Sequence, residues 1–370
     1  MPMFQRLAIV PGIIVLLGAC GSIAIDQATS ITSMPTLPPV PSTPTLEVPT
    51  PAPPTPTAIP PTATPTPTPL PGGLTFARGT IEQRPLAIMF DNHPAAYPQT
   101  GMDGAVMVFE ALAEYGLTRY MGIFVPGISP DLDEIGAVRS ARLYFVQWAM
   151  GLSAVFVHAG GSPDSLVLAE SATEIVNMDA LRRDGEPYFY RDNERDPPHN
   201  LYTTSTELQR FVAEQESAVP DLSAQGLLFK PDLPLVERPS VQRLDYYFIY
   251  ADDPVGWTYD PETNGYFRLR RNKPHVDGRT NAQLWFKNIV AIEVYEAPVP
   301  GDDKGRIEQR VIGEGRARFF LDGREHTGHW RKPAAAWPLR FYHADDTEVL
   351  FNVGPVWIVA LPDLRNLTVE

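Results

Sequence analysis

The chain has 370 residues, 40 of them proline, and a formal net charge of −14. So acidic a composition argues against general affinity for nucleic acid or for an anionic lipid surface. The length allows two modest domains, and a single cysteine excludes any paired-cysteine chemistry.

Residues 1–19 read as a lipoprotein signal peptide. Arg6 supplies the positive start, and residues 7–17 form an apolar stretch too short for a stable transmembrane helix. The run Leu17-Gly18-Ala19-Cys20 puts the cysteine where a bacterial lipoprotein is acylated. An ordinary signal peptide would leave that cysteine unexplained. Cleavage would make Cys20 the first residue, held on a membrane by several acyl chains. Residues 20–83 follow as a lipidated N-terminus and a Pro/Thr-rich linker. The stretch 35–71 holds 16 prolines and a single charge, Glu47, so it cannot build a core. At polyproline II spacing it extends about 115 Å.

The folded body starts at residue 84. The prolines of 230–240 mark an interdomain linker, dividing a mixed α/β domain at 84–229 from a smaller domain at 241–370. Residues 86–90 and 154–158 are short apolar strands, whereas 107–115 fits helix or strand equally. Ser140 is the expected N-cap of a helix over 141–150 that Gly151 ends. Thr204-Ser205-Thr206-Glu207 has the form of a capping box opening a helix to about 216. Beyond the linker, 245–250, 257–259, 266–270, 288–295, 316–321 and 356–361 are strand-like, with a hairpin turn at 260–265 and Asp322-Gly323 as another turn. The expected fold is therefore α+β, a mixed N-terminal domain followed by a mainly antiparallel β barrel or sandwich.

Polar residues gather where apolar elements of the first half end. Asp91-Asn92-His93-Pro94 follows a strand directly, a common place for functional side chains, although Asp91 or Asn92 could simply close a turn. In Val138-Arg139-Ser140-Ala141-Arg142, Arg142 falls in a first helical turn, where the dipole disfavours a cation. A negative neighbour is required: Asp91, Glu110, Asp196 or an anionic ligand. His158-Ala159-Gly160-Gly161-Ser162-Pro163 combines a glycine turn with a helix start, a potential anion site. Pro163 and Asp164 weaken that reading, and His158 could equally be a base, a ligand contact or a satisfied core residue. The charged loop 190–200 adds Arg195, His199 and Asn200.

Together these motifs, with Leu117-Thr118-Arg119 and Pro198-His199-Asn200-Leu201-Tyr202-Thr203, resemble those of the YerB-like bacterial lipoproteins. Tyr259-Asp260, Lys273-Pro274-His275-Val276-Asp277 and Gly328-His329-Trp330-Arg331-Lys332 resemble that family's C-terminal domain. The resemblance covers residues 84–370 and implies a lipid-anchored, two-domain exported protein. It implies no activity.

Three kinds of function fit. A binding or scaffold lipoprotein would engage an anionic or glycan envelope ligand, or an envelope partner protein, through Asn92, His93, Arg119, Arg139, Ser140, Arg142, Gly160, Gly161, Ser162, Arg195 and Asn200. A hydrolase or transferase on an anionic or glycan substrate would use Asp91, His158 and His199 as acid/base groups, with arginines holding charge. A metal site from Asp91, His93, His158 and His199 is disfavoured, since no HxH or HExxH spacing occurs. No pattern points to a cofactor, and GxSxG and P-loop motifs are missing. Tyr246, Trp257, Tyr266 and Trp285 would mark a glycan or partner surface if exposed, and a β core if buried.

Overall fold

The computed structural model describes residues 83–370 apart from 216, 217, 220, 221, 223–225, 241 and 251–253. The signal peptide, Cys20 and the linker to residue 82 lie outside the described residues. Among the described residues, no helix is long and apolar enough to cross a membrane.

The first half forms β1 (Leu86–Asp91), β2 (Met107–Leu112), β3 (Thr118–Phe124), α1 (Leu143–Gly151), β4 (Val155–His158), α2 (Pro163–Ser171), β5 (Val176–Asp179) and α3 (Ser205–Glu214). The second half adds β6 (Arg243–Tyr246), β7 (Val255–Asp260), β8 (Gly265–Arg270), β9 (Asn288–Glu293), β10 (Tyr295–Pro298), β11 (Ile307–Arg310), β12 (Gly313–Leu321), β13 (Arg324–Lys332), β14 (Arg340–His343), β15 (Val356–Leu361) and β16 (Leu367–Val369). The fold is α+β, with three α-helices among the described residues and a second half made mainly of strands. That half does not keep to itself. A ten-stranded sheet runs β14-β13-β12-β9-β15-β2-β3-β1-β4-β5, so strands of both halves share one hydrogen-bonded layer. The seam is β15, parallel to β2 on one side and to β9 on the other. A smaller sheet, centred on β8-β7-β6-β16, is built from the second half alone.

Side-chain alternation explains the layering. Met107, Phe109 and Ala111 of β2, with Met121 and Ile123 of β3, join Phe145 and Trp148 of α1 in one core. Val108 and Leu112, with Tyr120, Trp357 and Val359, join Leu244, Trp257 and Tyr266 of the smaller sheet in the other. Every residue of β1, β2, β3 and β15 is buried, as central strands covered on both faces require. Tyr246, Trp257 and Tyr266 are thus core residues, and Trp285 is half-buried with its indole N–H donating to Thr263 Oγ1.

The same alternation sends Glu110 into the second core, where it meets Arg268 of β8. Both are fully buried, and the Arg268 guanidinium donates to Glu110 Oε1 at 2.8 Å. Tyr246 Oη and Trp357 Nε1 donate to Oε2 at 2.7 and 3.0 Å. The guanidinium also lies 4.1 Å from the Trp357 ring centre. Arg268 Nε donates to His275 Nδ1 at 3.1 Å, and His275 Nε2 bonds Gln99 Oε1 at 2.8 Å. Burial, then the Arg268 charge, holds the His275 imidazole well below its ordinary range, so the ring stays neutral and accepts from the guanidinium. This polar chain ties the two halves together inside the molecule.

Two local expectations change. Thr204 caps α3 as the capping box requires, accepting from Glu207 N at 3.1 Å. Ser140 does not cap α1, which opens two residues later with Arg142 in the N-cap position and no side-chain cap. The reason is that 138–141 is extended and paired. Arg139 N donates to Met89 O, Ala141 N donates to Gly160 O, and Phe90 bridges Val138.

Lys332, at the end of β13, is fully buried. Its ammonium group faces the carbonyls of Ala335, at 2.7 Å, and Trp337. Burial pushes it down from 10.5 to about 7. Between those values the unfolded chain holds a proton that the folded chain resists, so this group's contribution to stability rises with pH from about 7 towards 10.5 and is lost below 7. Urea unfolding of the wild type and of Lys332→Met should therefore diverge by about 2 kcal/mol between pH 6.5 and pH 9. Parallel pH profiles would contradict this reading.

Candidate functional site

Several chain segments converge at the end of the large sheet where β1 and β2 stop and β3 begins. In the β1–β3 register Asp91 stands opposite Arg119, and in the β2–β3 register Ala111 does. The extended 138–141 segment lies across the end of β1 and delivers Arg139, Ser140 and Arg142. The loop before α3 delivers His199. That loop is braced by Asn200, whose amide donates to Asp192 O at 2.9 Å and accepts from Arg191 at 2.8 Å, while Val138 N donates to Leu201 O at 2.7 Å.

The result is an open cleft of about 320 Å³, lined among others by Asp91, His93, Glu114, Arg119, Arg139, Ser140, Arg142, His199, Lys304 and Arg306. Five of these are permanent cations and two are carboxylates. A chain with formal charge −14 has gathered a cationic lining in one place. The carboxylates are shared. Glu114 pairs with Arg119 at 3.2 Å and also with Arg142, while Asp91 Oδ2 lies 3.1 Å from Arg139 Nε and 2.7 Å from His199 Nδ1. On the rim, Arg306 and Lys304 lean on Asp302 and Asp303 at 2.9 and 3.3 Å. Burial pushes the Arg119 and Arg142 guanidiniums down to about 10, which leaves them charged at neutral pH. The Nε atom of Arg142 is buried and has no hydrogen-bond partner among the described residues.

Glu114 is thus the negative neighbour that Arg142 required. Asp91, Glu110 and Asp196 do not fill that role: Asp91 serves Arg139 and His199, Glu110 points into the opposite core, and Asp196 is exposed in its loop.

Asp91 and His199 form an acid–base pair with a defined tautomer. The 2.7 Å contact to a carboxylate makes Nδ1 the proton donor, so in the neutral ring Nε2 is the bare nitrogen. His93 stacks on His199 with ring centres 4.2 Å apart, its own Nδ1 accepting from Ala95 N at 3.1 Å.

Other sequence candidates lie elsewhere. His158 is fully buried, its Nδ1 2.9 Å from Gly160 O and its Nε2 2.8 Å from Asn177 Oδ1. With both ring nitrogens occupied inside the protein, it has no access to the cleft. Gly160 has φ +63° and gives its N–H to Asp179 Oδ1, and a Cβ on Gly161 would lie 2.5 Å from Ser165 Oγ, so both serve the turn's packing. Ser162 is buried at the start of α2 beside a neighbouring groove. Asn92 donates to Thr118 Oγ1 at 2.6 Å and borders a separate hollow of about 50 Å³. Arg195 braces the loop through Pro98 O at 3.1 Å. Glu114, Lys304 and Arg306 line the cleft and were not singled out from sequence. The last two come from the β10–β11 hairpin, almost 200 residues downstream of Glu114, and nothing local in 302–306 signals where it packs.

The match to known proteins follows the same span. The chain matches the family described as "Protein of unknown function (DUF3048)", its N-terminal domain at residues 72–218 and its C-terminal domain at 244–358. It is 32% identical over 301 residues to YerB of Bacillus subtilis (strain 168), a protein named as a candidate lipoprotein; the match covers 80% of this chain and 87% of YerB. The chain belongs to the YerB-like DUF3048 family. The crystal structure of the YerB protein from Bacillus subtilis superposes with a TM-score of 0.67 at 30% identity, covering 78% of this chain and 94% of that one. The family's two matched regions meet in this chain at β15, which carries the large sheet from one to the other.

Proposed function

We propose that this YerB-like chain is a lipid-anchored, extracytoplasmic protein that captures an anionic envelope ligand in the cleft at Asp91, Arg119, Arg139, Arg142, His199 and Arg306. The anchor is Cys20, supported by the Leu17-Gly18-Ala19-Cys20 run and by the name of the Bacillus relative. The observation that carries the ligand class is the cationic lining in an acidic chain. Converging guanidiniums favour planar or tetrahedral oxyanions, which accept their N–H groups in pairs. A glycan bearing phosphate or carboxylate groups is the envelope ligand of that chemistry. A glycan without charge would gain only the weaker hydrogen bonds to neutral hydroxyls from these arginines.

A thermal-unfolding series tests this. Phosphorylated sugars and uronic acids should stabilise the protein by about 2.7 kcal/mol at a hundred times the dissociation constant. Their uncharged parent sugars should not. Equal stabilisation by charged and uncharged members, or none by either, would sink the proposal.

One observation favours a second reading. With its Nδ1 proton given to Asp91, the neutral His199 ring turns Nε2 into a proton acceptor beside a cationic lining, which is the arrangement of general-base catalysis on a phosphate or carboxylate ester. Turnover of an ester-linked anionic glycan, lost in His199→Gln with binding retained, would establish it. Binding without turnover would leave the capture role alone.

A further inference from the structure

The cleft continues beyond its guanidiniums. Arg142 and Arg306, which close it on one side, also border a second hollow of about 400 Å³. This groove lies between the starts of α1 and α2 and the β10–β11 hairpin. Its walls are chiefly apolar, formed by Leu143, Tyr144, Pro163, Val299 and Ile307. The Tyr144 hydroxyl is already committed to Leu112 O at 2.5 Å. Val299 is 37% exposed, an aliphatic side chain left open to solvent at the groove's lip.

The charges around the groove separate it from the cleft. Its carboxylates are Asp164, Asp302 and Glu308. Asp302 accepts from the backbone N–H groups of Lys304 and Arg306 and pairs with the Arg306 side chain, while Glu308 pairs with Arg310. An anion entering the groove would be repelled by these carboxylates, whereas an alkyl chain carries no charge for them to repel. Cationic and apolar sites therefore lie side by side, joined at two arginines.

We propose that the ligand is a single-chain anionic amphiphile, with a phosphate monoester head held by Arg139, Arg142 and Arg306 and its hydrocarbon chain lying in the groove. This rests on the anion-binding reading of the cleft and adds what the anion is attached to. Each methylene removed from water contributes about fourfold in affinity, so a few seated methylenes outweigh the entropy of ordering the chain. Isoprenyl phosphates and lysophosphatidic acids share this chemistry.

The test is calorimetric titration of the full chain with methyl phosphate, with octyl phosphate below its micelle concentration, and with octyl glucoside. Octyl phosphate should bind at least tenfold more tightly than methyl phosphate, and octyl glucoside should bind weakly. Val299→Glu should remove the octyl advantage and leave methyl phosphate binding unchanged. Val167→Glu, at a 70% exposed position on α2, should change neither. Methyl and octyl phosphate binding equally would overturn the amphiphile and leave the cleft reading standing. Binding of neither phosphate would overturn both. Octyl glucoside matching octyl phosphate would reduce the groove to an unspecific apolar patch. Farnesyl phosphate and a lysophosphatidic acid of similar carbon count then separate the two sources, and failure of both to bind would also overturn the proposal.

Discussion

Arg268→Met should lower the unfolding free energy by about 3–5 kcal/mol, because it strands the buried Glu110 carboxylate without its counter-charge. Domain stabilities are commonly about 5–15 kcal/mol, so this is a large fraction of the total. Tyr246 and Trp357 would still donate to Glu110, but two neutral donors do not replace a cation in a dry interior. The double variant Glu110→Gln/Arg268→Met should recover part of the loss, since it removes the unpaired charge as well. Urea unfolding of the three variants gives the coupling directly. A single transition with a strongly coupled pair is the expected result, because Glu110 belongs to the first half and Arg268 to the second. Two separate transitions, with Arg268→Met affecting only the later half, would mean that the shared sheet does not make the halves fold together.

The second large effect is expected at Glu114. Its carboxylate serves both Arg119 and Arg142, whose side chains are only 9% and 10% exposed. Glu114→Gln leaves two guanidiniums close together with no carboxylate between them. A loss of about 2–4 kcal/mol follows from breaking a mostly buried pair. The particular expectation is rescue. Added phosphate should restore stability to Glu114→Gln far more than it raises that of the wild type, because an oxyanion can take the place of the missing carboxylate. Chloride at equal ionic strength should not. Equal responses to phosphate in variant and wild type would show that the arginines hold no anion.

The parts of the fold that were legible in the sequence are those decided locally. The all-apolar run at 86–90, the runs at 154–158 and 356–361, the capping box at Thr204 and the Asp322-Gly323 turn each carry their own signal, and each element stands within a few residues of its expected place. The stretch 107–115 was ambiguous because a fully buried strand shows no polar alternation. It resolves as β2 because both faces are covered. What was not legible is decided at long range. Nothing in 356–361 says that it inserts between 288–293 and 107–112 and joins the halves into one sheet. The start of α1 was misplaced for a similar reason. Ser140 is a good cap in isolation, but pairing of 138–141 with β1 and with the Gly160 turn keeps that segment extended. At the site, Asp91, His93, Arg119, Arg139, Ser140, Arg142 and His199 were found as polar residues at element ends and do come together. His158 has the same sequence context, yet its ring is fully buried with both nitrogens taken.

The property that the whole cleft turns on is oxyanion binding. Its most direct test is calorimetric titration of methyl phosphate into the wild type and into Arg139→Ala/Arg306→Ala. Both residues are partly exposed on the cleft, so the fold should survive their loss. With each charged contact contributing about 1.5–3 kcal/mol, the account predicts saturable binding by the wild type and an affinity at least a hundredfold weaker in the variant. Wild type and variant binding methyl phosphate equally well, or the wild type not binding it at all, would contradict the account.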